Sequence, residues 1–423
     1  MTSRSVVEEV ARRPSLGQAG RVPVLTATEA VAVARDVGAR LATGAGERDR
    51  YRVLPTEQLD ELSASGLLAV TVPREHGGAG LGAATLAEVV RHLAAGDPNV
   101  AQIPHSHFVY VNALRQQGTA DQQAFLFAEV LRGKRFGNAQ SEIKSRHLRE
   151  HATTLRPVGP TGSGGTAREW LLDGEKGYAT GALFAHWIPV LAHLGENGPL
   201  HVAWIERHAE GVTVVDDWDG VGQRTTASGR VLLEGVRVPA DRLTPYHLTF
   251  ERPQVYGAFA QLLHAAIDAG IARAALADAA EFVTTRSRPY PDAGVERAAD
   301  DPLVVHAFGE LELQTRAAEA LVAEAGRAVD RASAAGAGLT AEAAAEASLA
   351  VAAARAATTA ASLDAGSRLF EVCGTRSALA GLALDRHWRN ARTHTLHDPA
   401  AWKVQHLGRY AVDGTLPPNN GQL

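Results

Sequence analysis

The stretch AFAQLLHAAIDAGIARAALADAAEFVTTRSR, residues 258–288, constrains this chain more than any other. It is long, rich in alanine and apolar on too broad a face for a helix with one side in water. Such a helix has to be enclosed by others. Residues 302–332 and 340–372 have the same character, and their alanines permit close helix–helix approach. The last third therefore predicts a helical bundle, extended by association between subunits.

The first third is also helical by spacing. Helices are expected at 26–43, 54–70, about 84–95, 100–116 and 120–133, with a glycine-rich loop at 74–82. The middle third changes character. EWLLDGEKGYATG, HWIPVLAHL, HVAWIERH, GVTVVDDW and GRVLLEGVRVP are short apolar or alternating runs between Gly, Pro, Asn and Asp turns, with TGSGG (161–165) a hairpin turn. The expectation is an α+β chain, mostly α. Its parts are a flexible arm (1–25), an N-terminal helical domain (26–134), a central antiparallel β domain (135–243) and a C-terminal helical bundle (244–423). With 423 residues, more than one domain is expected. No strand–helix alternation, G-x-G-x-x-G or G-x-x-x-x-G-K-[ST] occurs, which argues against a doubly wound nucleotide fold and a P-loop.

The bulk numbers exclude some partners. Net charge is −5 with acids and bases interleaved, so nucleic acid is not expected. A single cysteine, Cys373, rules out a disulfide framework within one chain and suits a reducing cytosol. The N-terminus lacks the apolar core of a secretory signal, and no uninterrupted apolar run is long enough to span a membrane. A cytoplasmic location is expected.

Six short stretches carry candidate chemistry. RTHTLHDP (392–399) places His394 and His397 three apart, before Asp398 and a helix-ending Pro399. The spacing matches no metallohydrolase pattern, and no metal is expected. Structural loop histidines and an acid/base pair both remain open. FGNAQSE (136–142) offers Asn138, Gln140 and Ser141, which otherwise read as loop caps. In DGEKGYATG (173–181), Tyr178 and Thr180 are two apart, on one face if the segment is a strand. DDWDGVGQRTTASG (216–229) holds Trp218 among acids and a hydroxyl run ending at Ser228. The run reads as a phosphate-type site or as a polar turn. Arg286 and Arg288 close a long helix, where they suit either its dipole or a phosphate. PHSHF adds His105 and His107.

Together these pieces resemble the acyl-CoA dehydrogenase superfamily from about residue 28 to the end of the chain. DWDGVGQRTTASG, SRPYPDAGVERAADDP and DRHWRNARTHTLHDP are similar to the dibenzothiophene-monooxygenase branch and its SfnB-type sulfur-acquisition relatives. The resemblance implies a two-component flavin monooxygenase. A separate NAD(P)H-dependent reductase supplies reduced FMN, with FAD as the alternative cofactor. O2 adds at flavin C4a, and one oxygen passes to a small sulfur-containing or aromatic substrate.

The same resemblance implies that Asn138 and Ser141 line the flavin ring, Tyr178 packs on it and Thr180 faces its N5. Trp218 and Ser228 make ring- and phosphate-side contacts. Arg286 holds cofactor phosphate, and Arg376 reaches it from a neighbouring subunit of a homotetramer. His394 and His397 lie over the flavin as proton donors. The family's N-terminal helix supplies a histidine and a tyrosine. AQIPHSHFVY offers Gln102, His105, His107 and Tyr110 without fixing the register, and His107 is the expected helper. The alternative is an FAD-dependent acyl-CoA dehydrogenase, for which Asp398 stands where a glutamate base is commonest. Aspartate is one methylene shorter and Pro399 stiffens the turn, so proton abstraction is disfavoured. A flavin-free scaffold would have no use for Trp218, Ser228, Arg376 and the paired histidines.

Overall fold

The computed structural model describes residues 20–143, 150–159 and 167–423. Helices come first: α1 (Ala27–Ala42), α2 (Ala45–Tyr51), α3 (Thr56–Ala64), α4 (Ala83–Gly96), α5 (Pro98–Gln102), α6 (His105–Gln117) and α7 (Ala120–Leu131). Strands follow: β1 (Thr154–Pro157), β2 (Glu169–Lys176), β3 (Trp187–Leu194), β4 (Leu200–Glu206), β5 (Val212–Val215), β6 (Arg230–Pro239) and β7 (Leu243–Thr244). The chain then returns to helix with α8 (Tyr256–Thr285), α9 (Pro302–Ala334), α10 (Ala341–Cys373), α11 (Arg386–His394) and α12 (Ala400–Asp413).

The long helices form where spacing and caps demand. Asp301 caps α9 by accepting from the Leu303 amide at 2.9 Å, with Pro302 opening the helix, and Thr340 caps α10 through the Ala343 amide at 3.2 Å. The helix expected over 100–116 is two helices, α5 and α6. Pro104 has no amide hydrogen to continue the ladder from α5 and begins the turn into α6. Within the span expected to be a flexible arm, Val22 and Leu25 are buried, and the Val22 amide donates to Leu131 O at 2.8 Å. The turn expected at 161–165 lies outside the described residues.

The strands order as β5-β6-β2-β1-β3-β4-β7 in one sheet. The sheet is mixed rather than wholly antiparallel, because β1 pairs with β3 in parallel. Residues 177–186 carry the chain across from β2 instead of folding back in a hairpin, so β3 runs with β1. Parallel bridges Phe136–Trp187 and Ala139–Val190 bring the FGNAQSE segment along the same edge of β3.

One hydrophobic core joins the two helical regions. Val33 and Val37 of α1, Leu86, Val90 and Leu93 of α4, Leu263 and Ile267 of α8, Val329 of α9 and Val351 of α10 all belong to it. Helix α8 is its axis: every residue from Tyr256 to Ala272 is buried. A second cluster, with Tyr110, Phe127, Phe136, Trp187 and Trp204, ties α6 and α7 to the sheet. Cys373 is buried, and its Sγ approaches Ala279 O at 3.6 Å. No helix among the described residues is long and apolar enough to cross a membrane.

Helix α8 meets α4 so closely at Gly270 that a Cβ there would stand 2.6 Å from both Arg91 O and the Ala94 Cβ. A Gly270→Val substitution forces backbone apart in a packed core and is expected to destabilise by about 1–3 kcal/mol. Chemical denaturation of the two proteins checks this. An unchanged midpoint would mean that the α4–α8 crossing is looser than the geometry shows.

Candidate active site

Helix α8 carries three polar side chains inside its buried stretch. Gln261, His264 and Asp268 fall on one face by their spacing of three and four. Burial obliges each to find partners within the protein. Asp268 finds two. It forms an ion pair with Arg355 of α10, both side chains being essentially inaccessible. Its other oxygen accepts from His394 Nδ1 at 2.5 Å. His394 ends α11 and is itself fully buried. Burial alone would raise the Asp268 carboxyl, but the neighbouring His394 and Arg355 charges outweigh it and hold it below its usual range.

The histidines interlock beyond that pair. His394 Nε2 lies 3.0 Å from His264 Nδ1 and 3.2 Å from Gln102 Oε1. Gln102 Nε2 donates to His397 Nε2 at 3.1 Å, and His397 Nδ1 donates to His394 O at 2.7 Å. His105 donates through Nε2 to Ala260 O at 2.9 Å and stacks on His264 with ring centres 4.0 Å apart. Burial pushes His105 down to about 4 and drives His264 well below the ordinary histidine range; desolvation by the cavity wall, with the neighbouring His394, pushes the more open His397 down to about 3. These three rings are therefore neutral near pH 7. One nitrogen each from His264, His394 and His397 lies within 4.8 Å of the others, a spacing open to a metal ion.

A cavity of about 460 Å³ opens against this cluster. His105, His264 and His397 line it on one side, with Tyr110, Tyr246, Phe250 and Tyr256 as aromatic walls and Gln140 and Ser141 from the sheet edge. The Tyr110 hydroxyl is buried and has no partner among the described residues. Asp398 also reaches this wall, where it is paired to Lys403 at 2.6 Å.

The sheet contributes a second constellation. Thr180 Oγ1 is 2.7 Å from Ser228 Oγ, which is 2.8 Å from Thr226 Oγ1. Trp218 Nε1 donates to Gln223 O at 2.8 Å, and the Tyr178 and Trp218 rings meet edge-on at 6.3 Å. Tyr178 is not on a strand. β2 ends at Lys176, and Tyr178 sits in a left-handed turn with φ 50°, more than half exposed, so two-residue alternation does not apply. Asn138 Nδ2 donates to Tyr178 O at 3.3 Å.

The two constellations are joined by side chains of the elements that carry Gln102 and His394. Asn99 of α5 accepts from the Thr225 amide at 3.2 Å, and Asn390 of α11 accepts from the Gln223 amide at 2.7 Å. Asp97 pins α5 through the Asn99 amide and a 3.0 Å ion pair with Arg48.

Two expected participants stand elsewhere. His107 is fully buried with both nitrogens committed: Nε2 donates to Leu68 O at 2.9 Å, and Nδ1 accepts from the Phe136 amide at 3.1 Å. His105 and not His107 lies on the cavity wall. Arg286 and Arg376 are exposed, with Arg376 donating to Arg286 O at 3.2 Å. Arg286 is 22 residues beyond His264 on the same helix line, roughly 33 Å away along the axis. One chain does not bring them to the cavity. His264, Asp268 and Arg355 were not singled out by spacing alone; polar residues at three and four apart within an apolar run were the signal.

Family models of the acyl-CoA dehydrogenase N-terminal and C-terminal domains match residues 29–134 and 262–401. The chain belongs to the acyl-CoA dehydrogenase superfamily, in the branch that contains dibenzothiophene monooxygenase. It is 33% identical over 399 residues to the dibenzothiophene monooxygenase of Rhodococcus qingshengii, covering 92% of this chain and 94% of that one. It is 31% identical over 394 residues to a probable FMNH2-dependent monooxygenase, SfnC, of Pseudomonas putida, covering 92% and 96%. Among solved structures, FMN-bound TdsC from Paenibacillus sp. A11-2 superposes with a TM-score of 0.86 at 30% identity, covering 93% of this chain and all of that one.

Three buried rings, His105, His107 and His264, are held neutral in the fold and are free to protonate when it opens. The unfolded chain then binds more protons between the ordinary histidine value, about 6.5, and the depressed values. Stability contributed by these groups is complete above about pH 6.5 and is lost as pH falls toward 4. Each contributes a slope of up to about 1.4 kcal/mol per pH unit. Thermal melts from pH 7.5 to 4.5 should show Tm falling steeply below 6.5; a flat profile would contradict the burial of the cluster.

Proposed function

We propose that this protein is a reduced-FMN-dependent monooxygenase that oxygenates a small sulfur-containing or aromatic substrate, with reduced flavin delivered by a separate NAD(P)H-dependent reductase. The observation that carries the reading is the histidine cluster on the wall of an aromatic cavity, with His105, His264 and His394 buried behind it, coupled through Asn99 and Asn390 to a hydroxyl- and amide-rich loop.

That loop fits a flavin. Asn138 Oδ1, both side-chain polar atoms of Gln223 and Thr225 Oγ1 are buried without partners among the described residues, and such atoms call for a polar ligand. Tyr178 and Trp218 offer aromatic faces beside the Thr180, Thr226 and Ser228 hydroxyls. We assign Asn138, Ser141, Tyr178, Thr180, Trp218 and Ser228 to the bound FMN. The exposed Arg286 and Arg376 are assigned to the cofactor phosphate of a neighbouring protomer in a homotetramer. Bound reduced FMN supplies the electrons that activate O2. The chain's own part is to exclude water and control protons. The tyrosine and phenylalanine walls desolvate the cavity. His397, fixed by its Nδ1–H bond to His394 O, presents a neutral ring, and Thr180 sets the orientation of the Ser228 hydroxyl.

A dehydrogenase reading needs a free carboxylate base. Asp398 is paired to Lys403 at 2.6 Å and is not a free carboxylate. The enzyme is expected in the cytoplasm, with the reductase.

The test is rapid mixing of the protein–reduced FMN complex with oxygenated buffer. Slow reoxidation through a transient absorbance distinct from that of oxidised FMN is expected. His397→Ala is expected to raise hydrogen peroxide formed per FMN oxidised, since losing the ring opens the cavity wall to water and frees Gln102 from its 3.1 Å bond. Reoxidation at the rate of free flavin, together with bleaching of tightly bound FAD by an acyl-CoA, would overturn the reading.

A further inference from the structure

The hydrogen bonds around His394 have a direction that can be worked out atom by atom. His397 Nδ1 faces only a carbonyl oxygen, so it carries the proton, and its Nε2 in the neutral ring is an acceptor. The amide of Gln102 therefore turns its NH2 to His397 and its oxygen to His394. An amide oxygen accepts only, so the bond to His394 Nε2 exists only if that nitrogen carries a proton. The Asp268 carboxylate, beside Arg355, claims a proton on His394 Nδ1 in the same way. Both nitrogens of His394 are then protonated, and His264 Nδ1, 3.0 Å from His394 Nε2, is an acceptor. The opposite assignment, with His264 Nδ1 donating, leaves the buried Gln102 oxygen facing a lone pair.

His264 lines the cavity with Nδ1 turned to His394, which leaves Nε2 and its proton for the cavity. We infer that Asp268, His394 and His264 form a proton relay into the cavity, with His264 as the residue that delivers the proton and Asp268, Arg355 and Gln102 as the positioning groups. The inference rests on the monooxygenase reading for its chemical use.

The balance is simple. Reduced flavin bound as its monoanion brings one proton. Inserting one oxygen atom into the substrate releases the other as water, which needs two. The second comes from the relay. The N–H bond on His264 Nε2 breaks toward the departing oxygen, a new N–H bond forms on His264 Nδ1, and the His394 Nε2–H bond breaks. His394 is left neutral, Asp268 stays a carboxylate beside Arg355, and solvent reloads the relay after product leaves. No electrons move through these residues. The other titratable groups against the relay are His105, stacked on His264, His397, and the Asp398–Lys403 pair. His105 and His397 are committed to backbone carbonyls through their protonated nitrogens, so neither is aimed to deliver that proton to the cavity.

Neutron diffraction from a deuterium-exchanged crystal of the flavin-free protein near neutral pH reads the arrangement directly. The relay requires deuterium on both nitrogens of His394 and on Nε2 alone of His264. Deuterium on His264 Nδ1 with none on His394 Nε2 would reverse the direction and overturn it. In solution, His264→Gln is expected to lower product formed per FMN oxidised at least tenfold while reduced-FMN affinity stays within twofold. It should also change the solvent deuterium isotope effect on product formation. His264→Asn is a second variant should the glutamine fail to fold. Asp268→Asn keeps the shape, leaves its amide oxygen to Arg355 and turns its NH2 to His394, so it should remove deuterium from His394 Nδ1. Parent-like coupling in a folded His264 variant would overturn the inference. If the parent protein oxygenates nothing, the function reading fails by itself, and the deuterium positions still decide whether the relay exists.

Discussion

The enclosure of α8 governs the rest of this molecule. Seventeen consecutive buried residues, Tyr256–Ala272, leave a polar side chain on that helix no recourse to water. Asp268 is tolerated only because Arg355 arrives from α10 and His394 from the end of α11. A buried ion pair of this kind contributes little net stability, since desolvation offsets much of the attraction. Its effect is on arrangement: breaking either partner strands a charge, so α8, α10 and α11 are held to one mutual register. The register of those helices sets where His394 stands, and His394 sets Gln102 and His264.

A second dependence runs between the helices and the sheet. The loop from Trp218 to Ser228 is polar and has left-handed backbone at Gln223 and Ala227, which would leave it free to move if only the sheet held it. Asn99 and Asn390 clamp two of its amides. Both asparagines sit on elements that also end in a cluster residue, Gln102 or His394. A displacement of the loop is thus felt at the histidines within one helical turn or so.

Much of this was legible in the sequence. The three long C-terminal helices fall within three residues of the bounds read from spacing, because long alanine-rich apolar runs, two of them opened by a capping Asp or Thr, leave little choice. His394 and His397 were visible as a cluster before a proline. Tyr178 was placed on a strand because composition does not report a left-handed turn. His107 was preferred to His105 because periodicity alone does not say which of two histidines, two apart on one helix, faces a cavity. His264 and Asp268 lay within a run read for its apolar residues, and Arg355 within a stretch read for its alanines. Their pairing is a tertiary fact, set by how α8 and α10 cross.

The thiol of Cys373 has a bearing on the durability of the enzyme. Desolvation pushes it up to about 12, so almost none is thiolate at neutral pH, the form that oxidants attack. It is the chain's one cysteine, and Met1 is its one methionine. A catalyst that handles O2 with reduced flavin is exposed at its own active site to whatever oxidant escapes. This chain offers such oxidants almost no sulfur. Self-inactivation by sulfur oxidation is therefore narrowed by composition and burial together, and aromatic and imidazole rings are what an escaping oxidant meets instead.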